Sequence, residues 1–138
     1  MPVRVGLLAL GIVLLGLLVV ARQLEPNPAG FGTHRQLGFS ECTMFAWTGR
    51  PCPTCGMTTA WAWLVRGHVH RAVDANLAGT LVGILAVVAI PWSLISGCLG
   101  RWIGIRPRED VMITTVLIIA VCTLADWLRR GAWNDLFH

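Results

Sequence analysis

The chain has 138 residues, enough for one domain, of which 55% are hydrophobic and 13% charged, with a formal net charge of +4. The charged share is about half the roughly 25% usual for soluble domains, which argues against an ordinary soluble globule. All eleven basic residues are arginines that flank apolar runs, so the positive charge reads as membrane anchoring and not as the basic stripe of a nucleic-acid module.

Residues 1–22 are the first expected transmembrane helix. Val5 to Ala21 is 17 residues without a charge, at the lower edge of the range of about 17–25 that crosses a bilayer. Arg4, the apolar core and Val19-Val20-Ala21 resemble a secretory signal. The core exceeds the usual 7–15 or so apolar residues of such a signal and has no Ala-x-Ala, so a retained helix is expected. Residues 23–57 read as linker and cysteine loop, because Pro26, Pro28, Gly30, Gly32 and Gly38 interrupt any periodic element.

Residues 58–67 are expected to form a short helix capped by Thr58 and ended by Gly67. It is too short to cross a bilayer, so it lies in the interface or re-enters it. Residues 69–98 read as one helix containing the second span, the 22 uncharged residues Leu77 to Cys98. Gly79 and Gly83 form a G-x-x-x-G that permits close helix contact, and Pro91 removes a backbone bond and is expected to kink the span. Arg71 and Asp74, three apart, can pair on its exposed side. Residues 111–130 are the third transmembrane helix. Arg101, Arg106, Arg108, Arg129 and Arg130, with Trp102, Trp127 and Trp133, read as interfacial anchors. The expected fold is an all-α membrane protein with three transmembrane helices and one short interfacial or re-entrant helix.

Arginine counts suggest the orientation. The side with the cysteine loop and the C-terminus carries Arg22, Arg35, Arg50, Arg66, Arg71, Arg129 and Arg130, against Arg4, Arg101, Arg106 and Arg108 opposite. The positive-inside rule then places the loop in the cytoplasm of a multi-pass protein of the cell membrane; a first helix inserting as an ordinary signal anchor would reverse this.

The chemistry concentrates in Cys42 to Asn76. Cys52-Pro53-Thr54-Cys55-Gly56 is a C-P-x-C-G. Proline fixes the turn after the first cysteine and glycine permits positive φ after the second, which is how a zinc knuckle brings two thiolates together. Cys42 is the expected third ligand and His34, in the flexible linker, the expected fourth. His68 and His70 lie beyond the short helix, roughly 13 Å from Cys55. A second reading is redox: Cys55 precedes a helix N-terminus, which favours thiolate, although the soluble βαβ setting of thioredoxin-type motifs is absent. The plainest reading is a tight turn whose cysteines pack as small apolar groups, which also suits Cys98 and Cys122.

These residues resemble a bacterial family of small membrane proteins, the domain of unknown function numbered 2752. Its pattern is a cysteine, a Thr-Gly, then C-P-x-C-G-x-T-R-A, a glycine after a short helix, and an Ala…Asn-Pro. Cys42, Thr48, Gly49, Pro51, Cys52, Pro53, Cys55, Gly56, Thr58, Ala60, Leu64, Gly67, Ala72 and Asn76 fit it. Thr59 stands where the family has arginine and Leu77 where it has proline. The resemblance implies a membrane location and supplies no activity.

The expected function is therefore that of a non-enzymatic docking or scaffold protein with a cysteine knuckle that is either purely structural or held by zinc (Cys42, Cys52, Cys55, with His34 as fourth ligand). The alternative is a membrane thiol–disulfide oxidoreductase using Cys52 and Cys55. Expected partners are the lipid bilayer and a protein docked on the cysteine loop; self-association is open and nucleic acid is not expected. Antiparallel spans two and three bring the end of one to the start of the other. A polar pocket of Asn76, Asp126, Arg71 and Thr59 is accordingly expected beside the cysteine loop, with Thr115, Cys122 and Asp126 sharing one helix face.

Overall fold

The computed structural model describes residues 2–104 and 108–136, with side chains for 3–104 and 108–131. Arg106 and the Trp133 side chain lie outside the described residues. Among those residues there are six α-helices and no strand: α1 Pro2–Gln23, α2 Thr43–Thr48, α3 Met57–Leu64, α4 Val69–Ala75, α5 Leu77–Leu99 and α6 Glu109–Leu136, with a 3-10 turn at Thr33–Leu37. Three segments are long and apolar enough to cross a membrane: Val3–Gln23, Leu77–Leu99 and Glu109–Gly131. The all-α, three-span architecture read from the sequence is therefore the observed one.

α5 is the central helix. It packs against α1 on one side and α6 on the other, and α3 lies against its first two turns. Small residues make the close approaches. A methyl group on Gly97 would stand 2.8 Å from Leu8, and one on Gly11 2.6 Å from Leu94, so α1 and α5 meet antiparallel at near backbone contact. Gly79 faces Met57 of α3, while Gly83 faces Leu64 and Trp61. The indole N–H of Trp61 donates to the Gly79 carbonyl at 2.8 Å. The G-x-x-x-G thus seats a short helix of the same chain. α5 remains one helix through Pro91.

The helix expected from Val69 to Cys98 is interrupted. Asn76 is extended (φ −166°, ψ 110°) and separates α4 from α5. Its side-chain oxygen accepts the Gly79 N–H at 2.6 Å, an N-cap that satisfies one of the amides a helix start leaves unpaired. α3 is tied to α1 by Arg66. That guanidinium donates to the Ala62 carbonyl at 2.7 Å and to Arg22 and Leu24 at 2.8 Å each. It covers carbonyls at the C-terminus of α1, where a cation is also favoured by the helix dipole. A residue first read as a topology signal is thus a structural clamp.

α6 is the least covered span. Val116, Leu117, Val121 and Leu128 are exposed, while Thr115, Ile119, Cys122, Thr123 and Trp127 are half-buried and Asp126 is buried. With no membrane water to satisfy polar groups, Thr115 and Thr123 return their hydroxyls to the Val111 and Ile119 carbonyls. At the opposite end of the bundle Trp92 packs on Trp102, with ring centroids 5.6 Å apart.

Candidate functional site

The cysteine turn begins where Cys55 N–H bonds back to the Cys52 carbonyl at 3.0 Å. Gly56 follows at φ +92°, and a Cβ there would meet the Gly30 carbonyl at 2.7 Å as well as the Ala75 carbonyl. Only glycine lets the chain pass between them. α3 then starts, so its positive end faces the thiols.

The turn places Cys52 and Cys55 together, and α2 returns Cys42 to them. The three sulfurs all lie within 4.8 Å of one another, with Cys52 and Cys55 3.0 Å apart. Cys55 is buried, and Cys42 and Cys52 are half-buried. They line a cavity of about 230 Å³ with His34, Gly32, Thr54 and the first turn of α3. His34 is on the cavity wall but outside the cluster of sulfurs. His68 is at the far end of α3, edge-on to Trp63 at 5.4 Å. A backbone N–H bond from Phe45 and a thiol bond from Cys55 lower Cys42 to about 7 from an ordinary 9.0. Burial and the hydrogen bond with Cys52 push Cys55 up to about 12. Three convergent sulfurs are a soft donor set suited to zinc or another thiophilic ion.

Behind the thiols, polar groups grip the turn from its far side. Asn76 Nδ2 donates to the Pro53 and Cys55 carbonyls at 3.2 and 3.0 Å. Arg130 donates to the same two carbonyls at 3.2 and 2.9 Å. Trp127 Nε1 donates to the Pro51 carbonyl at 2.9 Å. Asp126 has no side-chain exposure and pairs with Arg129 at 2.8 Å and Arg130 at 3.0 Å. It also accepts the Leu77 N–H at 3.3 Å, at the start of α5 where a negative charge is favoured.

Asn76 and Asp126 therefore lie on one continuous network with the cysteine turn. Arg71 stands apart, its guanidinium 4.7 Å from the centre of the Trp63 ring. Thr59 also leaves this network. It is fully buried and shares a 2.7 Å hydroxyl bond with Thr33, which receives the Asn27 N–H at 3.0 Å. That chain of bonds fastens the linker to α3. Arg130 and Trp127, which read as interfacial anchors in the sequence, are the residues that reading missed; nothing in their spacing relates them to a turn more than 70 residues upstream.

Residues 42–90 match the model of the family described as protein of unknown function (DUF2752). This extends the resemblance seen over 42–77 through most of α5. No curated protein and no solved structure matches the chain. The matched residues hold the three thiols, α3, Asn76 and the Gly79–Gly83 contact. Arg130, Asp126 and Trp127 lie outside it. Thr59 bonds Thr33, and the Leu77 N–H donates to Asp126, a bond that a proline at this position could not make.

Proposed function

We propose that this is a multi-pass protein of the cell membrane whose cysteine loop is a zinc-held knuckle that docks a protein partner on the cytoplasmic side. The observation that carries the reading is the convergence of Cys42, Cys52 and Cys55 within 4.8 Å on one cavity wall. Zinc takes four ligands, and His34, which lines the same cavity, is the fourth donor proposed. The metal would cross-link α2, the cysteine turn and the linker. Outside this knuckle Trp47 is 85% exposed and Phe39 65%, large aromatic surfaces of the kind that interfaces bury.

Metal analysis with thiol counting on the detergent-purified protein tests this. One zinc per chain is expected. Cys52→Ser and Cys55→Ser should each lower the unfolding temperature, and a chelator should reproduce their effect. Metal-free protein with both variants as stable as wild type would overturn the reading.

One distance favours a second reading, a membrane thiol–disulfide oxidoreductase: the 3.0 Å between the Cys52 and Cys55 sulfurs. In it the two thiols would pass two electrons and two protons to a partner's disulfide and become a disulfide themselves. It ranks below the metal reading because a third thiol, Cys42, converges on the pair, a donor set that a two-thiol exchange does not need.

A further inference from the structure

The geometry points to Arg130 as the residue that positions the cysteine turn, with Asp126 as its anchor; the inference rests on reading the turn as a metal site. Arg130 belongs to the third span, yet one guanidinium bonds the carbonyl of a thiol-bearing residue, Cys55, at 2.9 Å and that of Pro53 at 3.2 Å. It reaches the Ala75 carbonyl as well, at 3.3 Å, so the end of α4 and the cysteine turn share one clamp. Its remaining nitrogen, Nε, sits 3.0 Å from Asp126 Oδ2. The side chain is only 15% exposed and that of Asp126 has no exposure, so the pair is fixed in register with the start of α5.

This grip is directional. A planar fork whose terminal nitrogens bond the turn's carbonyls, while Nε donates to the Asp126 main-chain carbonyl at 3.4 Å and is ion-paired with its carboxylate, leaves the turn little freedom to rotate. A lysine ammonium keeps the charge but cannot hold both carbonyls and the carboxylate in one plane. Loss of an outer-shell partner that orients a metal ligand typically lowers affinity by about 10–100-fold, and Arg130 acts in this way through the backbone that carries the Cys55 thiol. Asn76 bonds the same carbonyls, so the turn survives loss of Arg130 but with its sulfurs displaced.

The test uses the full chain in detergent, loaded with Co²⁺ as a spectroscopic probe. Arg130→Lys should weaken Co²⁺ binding about 10–100-fold and shift the ligand-field bands. Asp126→Asn, which leaves Arg130 in place with a weaker anchor, should shift the bands in the same direction. Arg66→Lys is the control, because Arg66 clamps α1 to α3 away from the turn. It should lower stability and leave the spectrum unchanged. Wild-type affinity and bands in Arg130→Lys, or an equal shift in Arg66→Lys, overturn the proposal. If wild type binds no Co²⁺, the metal reading has failed and the positioning role is read from Cys55 alkylation: several-fold faster modification in Arg130→Lys than in wild type supports it, and an unchanged rate overturns it.

Discussion

Asn76 spends its whole side chain on joining two structures. Its oxygen caps α5 and its nitrogen holds two carbonyls of the cysteine turn. Neither isostere replaces it, since aspartate loses the donor and leucine loses both functions. The thiols differ from one another in the same local way. In metal-free protein Cys42, lowered to about 7, should pass from about 10% to about 90% thiolate between pH 6 and pH 8. Cys55, pushed up to about 12, stays protonated across that range. Alkylation followed by mass spectrometry should therefore modify Cys42 first, with a rate that climbs through neutral pH, and Cys55 last. Faster labelling of Cys55 than of Cys42 at pH 7 would contradict these environments.

Among the elements, α3 and α5 show how glycine sets a contact. Gly83→Val would drive a methyl group into Leu64, 2.6 Å away, and toward Trp61. Overpacking of this kind costs about 1–3 kcal/mol, and a matching fall in the unfolding free energy is expected. A Cβ at Gly16 meets nothing within 4 Å, so Gly16→Ala should cause no such loss. Similar losses for the two would mean that α3 is not seated as described. This level was legible in part. The apolar runs revealed three spans, and the C-P-x-C-G revealed the turn, because length and local φ constraints are written in contiguous residues. The break at Asn76 departs from the single helix expected over residues 69–98, although asparagine before an apolar run is itself an N-cap signal. The Arg130 clamp could not be read, since an arginine ending a span looks the same whether it faces lipid headgroups or a buried carbonyl.

At the scale of the molecule, the network makes one end of the bundle ordered and polar, while the outer face of α6 remains apolar and exposed. The arginine-rich end is the one with the cysteines. With that end in the cytoplasm, a membrane-impermeant thiol reagent applied to whole cells should leave Cys42, Cys52 and Cys55 unmodified and should reach them after permeabilisation. Full labelling of intact cells would reverse the orientation and strengthen the disulfide reading, because an oxidising compartment is where such bonds persist.

The order of synthesis gives the clamp a further meaning. Arg130 follows Cys55 by 75 residues. At a translation rate of roughly 5–20 residues per second, the turn waits about 4–15 s before its clamp has even been made. During that interval residues 42–90 can fold against α1 and place their thiols near one another, held on their far side by Asn76 alone. The final geometry of the turn then comes only when α6 has entered the membrane and docked on α5. On the proposed role of Arg130, insertion of the third span is the biogenesis step that finishes the site, and a chain that stalls before it would present its thiols unlocked.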